Sequence, residues 1–137
     1  MAEGRYGLRI EEDPVAARAE LEQTVLEVAN RDAYLKDHPP VITWPGGQFR
    51  GGHLPAGHDL RHLVADAHTS ATGDVLNGEF GVPYGSDLRL YAGSGVPTLH
   101  YGPGEIRKAH GPNESVPIAD VLVTARVLTL AILRACG

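Results

Sequence analysis

Apolar and polar positions change period several times along the chain, and each change predicts an element. Tyr6, Leu8 and Ile10 alternate with other residues, which predicts a short strand over 5–10 with one buried face. Asp13-Pro14 marks a helix start, because an aspartate side chain can accept from first-turn amides and proline is tolerated at the first helical position. Leu21, Val25, Val28 and Ala29 then recur at helical spacing, with Glu20, Glu22 and Glu27 on other faces. That helix is predicted to end within 30–34, ahead of His38-Pro39-Pro40. Val41-Ile-Thr-Trp44 is β-branched and aromatic, which predicts a second strand. Strand, helix and strand over 5–44 make half of a small α+β layer.

Pro45-Gly-Gly-Gln-Phe-Arg-Gly-Gly-His-Leu-Pro55 holds four glycines and two prolines, too many for any regular element, and reads as a hinge between two domains. A second helix is predicted over 59–72, closed by Gly73, with Leu60, Leu63, Val64 and Ala67 facing inward. Residues 81–91 begin with a glycine-rich turn, and Val96-Pro-Thr-Leu-His-Tyr101 reads as a buried strand. The last helix is predicted over 117–135. Its apolar residues, among them Ile118, Val121, Leu122, Ala125, Leu128, Ala131 and Ile132, cover most of its circumference.

Composition narrows the partners. The 12 lysines and arginines stand against 17 aspartates and glutamates, a net charge of −5, and no basic stripe tracks along any element. Nucleic acid is therefore not expected as a partner. Cys136 is the single cysteine, which excludes an internal disulfide or a thiolate metal cage and suits the reducing cytoplasm. The N-terminal residues carry no signal-peptide core, and the longest apolar run, 127–133, falls far short of the roughly 20 residues that span a bilayer. No membrane role is expected.

The candidate chemistry lies in three places. His110 sits in a loop stiffened by Gly102-Pro-Gly104 and Pro112, the kind of setting that fixes the direction of a metal-binding imidazole. A solvated loop histidine is the plain alternative. His58 and His62, four apart on a predicted helix, share one face, but the intervening Asp-Leu-Arg lacks the glutamate of the His-Glu-x-x-His pattern. An amphipathic helix with a polar outer face accounts for them as well. In Tyr84-Gly-Ser-Asp-Leu-Arg89 a glycine turn precedes an arginine whose planar fork suits a carboxylate, unless Asp87 and Arg89 merely pair with each other. No Gly-x-Ser-x-Gly elbow or phosphate loop is present.

Taken together, Gly85-Ser-Asp-Leu-Arg89, Gly95-Val-Pro-Thr98 with Gly102-Pro-Gly104, and Ala109-His110-Gly-Pro-Asn-Glu114 before a long last helix resemble one family. It is that of the co-catalytic zinc amidohydrolases and peptidases, which includes acetylornithine deacetylase, succinyl-diaminopimelate desuccinylase, aminoacylase and carboxypeptidase G. The acetylornithine deacetylase-like deacylases are the nearest flavour. The resemblance implies an incomplete α/β zinc-peptidase-like fold, truncated at its N-terminus. In this reading 1–46 form the second half of a lid or dimerisation domain, 47–53 the hinge, and 54–137 the C-terminal part of the catalytic domain. It further implies that His110 ligates one zinc of a pair, with cobalt as a substitute. Arg89 then holds the carboxylate of an N-acyl amino acid, Ser86, Asp87 and Gly104 line the same pocket, and Glu114 stands close behind His110. Gly111 replaces the bulkier residue expected after the histidine.

The family's other ligands and its general-base glutamate lie upstream of the segment matched here and have no counterpart in this sequence. One imidazole without that base activates no metal-bound water, so the isolated chain is expected to be inactive and to lose its metal. Two alternatives accompany this expectation. One is a non-catalytic partner pairing with a full-length homologue through its lid portion, the other a separate mononuclear site built from His58, His62 and His110.

Overall fold

The computed structural model describes residues 1–137 in full. In chain order the elements are α1 (Pro14–Ala29), α2 (Leu60–Thr72), the short α3 (Leu88–Gly93), a 3-10 turn over Ile106–Lys108, and α4 (Ile118–Cys136). They fall into two units: residues 1–53 with 83–93, and residues 54–82 with 94–137.

No strand forms, which corrects the three strands expected at 5–10, 41–44 and 96–101 and leaves the expected α/β layering without its sheet. The physical reason is pairing. An extended segment satisfies its backbone N–H and C=O groups only when a neighbour lies alongside, and no two of these segments pair. Their alternating residues are accordingly not covered: Tyr6, Ile10, Val41 and Val96 are all exposed.

In the first unit, α1 begins as its sequence dictates. The Asp13 carboxylate accepts from the Val15 and Ala16 amides at 2.9 and 3.0 Å, and Pro14 fills the first helical position. Those amides hold the Asp13 carboxyl below its ordinary 3.8, the Ala16 bond contributing most, with further help from Arg50 at 3.2 Å. Trp44 docks on α1 by two contacts, its indole N–H donating to Glu22 at 2.7 Å and its ring lying 4.8 Å beneath the Arg18 guanidinium carbon. Beyond α1 the Asp32 carboxylate accepts from the amides of Tyr34 and Leu35, both at 2.9 Å, closing the turn that ends the helical segment.

The second unit is built on the packing of small and branched side chains of α2 against those of α4. Ala67, Val127 and Ala131 are its buried centre, and Leu63, Ala71, Val123, Leu130 and Tyr101 pack around them. Alanines at 67, 71 and 131 remove bulk where the two helices meet, so the helices can approach closely. Gly73 ends α2 in the left-handed region at φ 82°, its amide returning to the Thr69 carbonyl at 2.8 Å. Tyr101 ties its extended segment to α2 through a 2.7 Å hydrogen bond between its hydroxyl and His68 Nδ1. Arg134 reaches from the end of α4 to the Ser70 hydroxyl at 2.8 Å.

Candidate functional site

The candidate residues occur as two clusters, one in each unit. Arg89, Ser86 and Asp87 belong to the first unit, and Gly104, His110 and Glu114 to the second.

Arg89 lies in the first turn of α3, and Asp87 starts that turn by accepting from the Leu90 amide through its carbonyl at 2.8 Å. The Arg89 guanidinium is held from several sides. Nη1 donates to the Ser86 carbonyl at 2.6 Å, the Asp87 carboxylate stands 3.7 Å away, and the Phe49 ring lies beneath the guanidinium carbon at 4.6 Å. The side chain is left 23% exposed. Asp87 does pair with Arg89, but at 3.7 Å and with the carboxylate 79% exposed the attraction is weak. A guanidinium carries five N–H donors in one plane, so a partner on its face and one on Nη1 leave donors for an anion. Sequence reasoning did not single out Phe49. Its signal was legible as one aromatic ring inside a run of glycines that otherwise needs none.

His110 adopts a left-handed backbone, φ 60°, in the loop that follows the 3-10 turn. Glu114 supports that conformation directly, its carboxylate accepting the His110 amide at 3.0 Å, while Gly111 donates back to the Lys108 carbonyl at 3.2 Å. Glu114 thus stands behind His110 through the main chain rather than through the ring. The imidazole is exposed. Gly104, at φ 87°, packs so tightly that an added Cβ would lie 2.4 Å from Val116 Cγ2. A side chain there is disfavoured by the left-handed backbone and by the Val116 methyl.

His58 spends its Nδ1 on the Leu60 amide at 3.1 Å and so caps α2, a role that its place just before the helix permits. His62 lies on the exposed side of α2. No group of three or more His, Cys, Asp or Glu side chains gathers to hold a metal ion, so His58, His62 and His110 do not form the separate site considered from sequence. His110 by itself offers one ligand, and the residues of this chain do not compose a metal centre.

The profile of peptidase family M20/M25/M40 matches residues 12–134. The chain belongs to this family. The M20 match covers both units and contains every candidate residue named above. Among curated relatives, an N-formyl-4-amino-5-aminomethyl-2-methylpyrimidine deformylase of Halalkalibacterium halodurans is 30% identical over 125 residues, covering 85% of this chain and 29% of that enzyme. A deformylase of the same name from Bacillus subtilis is 28% identical over 135 residues, covering 91% of this chain and 30% of that enzyme. This M20 chain therefore spans less than a third of the length of these relatives. No solved structure matches it. No helix is long and apolar enough to cross a membrane.

Proposed function

We propose that this M20 chain is the C-terminal portion of a metal-dependent cytoplasmic hydrolase that cuts the amide bond of an N-acyl or N-formyl amine. The observation that carries this reading is the family match over 12–134, to which the names of the two deformylases add the bond that is cut. Arg89 anchors an anionic group of the substrate, most simply the carboxylate of an N-acyl amino acid. Ser86 and Asp87 set the turn that presents it. His110 contributes one imidazole to a metal, zinc or cobalt, whose remaining ligands come from residues outside 1–137. A bound metal of this kind supplies a polarised carbonyl and an activated water. Without the other ligands and a general base the chain does not turn over by itself. The alternative is a non-catalytic partner that pairs with a full-length homologue through residues 1–46.

The test combines this chain with the N-terminal portion of the Bacillus subtilis deformylase, with zinc or cobalt added. N-acetylornithine and the N-formyl aminomethylpyrimidine are the two substrates. Hydrolysis of either supports the amide-hydrolase reading, and cleavage of the pyrimidine alone overturns the amino-acid specificity. In the active assembly His110→Ala is expected to lower kcat/KM by at least about a hundredfold. An undiminished rate with that variant, or no hydrolysis by folded portions that bind each other, overturns the site.

A further inference from the structure

The run expected from its glycines to be a hinge, 47–53, is shaped around one contact. Phe49 places its ring 4.6 Å from the guanidinium carbon of Arg89. Two glycines make room for this stack. At Gly47 an added Cβ would lie 2.9 Å from the Phe49 ring. At Gly52 it would lie 2.7 Å from the Arg89 Cα, so the main chain of the run is pressed against α3. The clash at Gly52 is with backbone, which has no rotamer by which to yield. A flexible connector requires none of these close approaches.

We propose that Phe49 is a positioning residue for Arg89, holding its guanidinium so that the in-plane N–H groups not spent on Ser86 are presented to an anionic group of the substrate. The ring works by covering one face, which restrains the plane without consuming an in-plane donor, while the Ser86 carbonyl fixes Nη1 at 2.6 Å. The glycines at 47 and 52 are the clearance this arrangement needs. This inference rests on the anchoring role of Arg89 proposed above.

The experiment follows the Arg89 guanidinium of the 137-residue chain by nitrogen-15 NMR, reading the rate of rotation about its Nε–Cζ bond, with thermal melting as the control for folding. Phe49→Leu is expected to speed that rotation roughly two- to fivefold, the range that a solvent-exposed cation–π contact supports. Phe49→Tyr, which keeps a ring face, is expected to leave it unchanged. Gly52→Ala, which retains the ring but displaces α3, is expected to speed it as Phe49→Leu does. An unaltered rotation rate in a Phe49→Leu chain that still melts normally overturns the proposal, as does failure of Phe49→Tyr to hold the slow rate.

A kinetic arm separates this from the anchoring role. In the active assembly, Phe49→Leu should raise KM for N-acetylornithine by a similar two- to fivefold, with kcat kept. Faster rotation with KM unchanged in both Phe49→Leu and Arg89→Ala overturns the anchoring by Arg89. Faster rotation with KM raised only by Arg89→Ala overturns the contribution of Phe49 to binding.

Discussion

Two side-chain-bearing residues stand in the left-handed region, Glu11 at φ 72° and His110 at φ 60°, and only the second lies in a candidate site. A residue with a Cβ there costs on the order of 1–2 kcal/mol relative to a right-handed conformation. The Glu114 carboxylate, accepting the His110 amide, offsets part of that cost. Replacing His110 by glycine should therefore stabilise the second unit by about 1 kcal/mol, read as a higher urea midpoint, even as it removes the imidazole. Glu114→Ala should act in the opposite direction, with faster hydrogen exchange at the His110 amide. At Gly104 the expectation is a loss. Gly104→Ala must place a methyl at φ 87° and 2.4 Å from Val116, and should cost about 1–3 kcal/mol. Adding Val116→Ala should recover only the steric part, so a double-mutant cycle separates conformation from contact.

At the scale of elements, the three longer helices were legible because local chemistry suffices to mark them. Asp13-Pro14, Gly73 and Pro117 punctuate α1, α2 and α4, and the observed bounds agree with the expected ones to within a residue or two. The Asp13 cap carries a pH signature. Its carboxyl titrates below the ordinary 3.8 because the charged form receives two amides, the Ala16 amide foremost. The cap thus contributes in full above the unfolded value and is lost as pH falls through the lower folded one. Carboxyl-detected NMR should place the Asp13 midpoint below 3.8, and Asp13→Ala should flatten the acid limb of the α1 helicity curve. Tyr101 behaves with the opposite sign. Burial pushes its phenol above the ordinary 10.0, so its neutral form favours the fold up to that pH and the contribution declines as pH climbs through the raised folded value. Tyr101→Phe should remove that alkaline decline, as measured by thermal melting between pH 9 and 11. Where α2 meets α4, Val127 is wholly buried, and Val127→Ala should cost about 2 kcal/mol in a urea titration.

For the whole molecule, the apolar inventory of the last helix and of the unpaired segments exceeds what the two units cover. Ile118, Leu122, Ile132 and Leu133 are each more than half exposed, as are Val41 and Phe80. Exposed apolar side chains in this number bind hydrophobic dyes and promote association. The isolated chain should enhance the fluorescence of such a dye, and Leu122→Glu with Ile132→Glu should reduce the enhancement without loss of helical signal. The expected strands show where sequence reasoning met its boundary. Val41-Ile-Thr-Trp44 has every local preference of a strand, but a strand exists only as a pair, and pairing is not a property of the segment itself. Helices, their caps and the family motifs were settled by residues a few positions apart, because their hydrogen bonds close within one or two turns. The stack of Phe49 under Arg89, the press of Gly52 against α3 and the turning of Glu114 onto a main-chain amide were decided by tertiary structure alone. Each joins groups whose approach depends on how the intervening chain folds back, a distance that no local pattern of apolar and polar residues encodes.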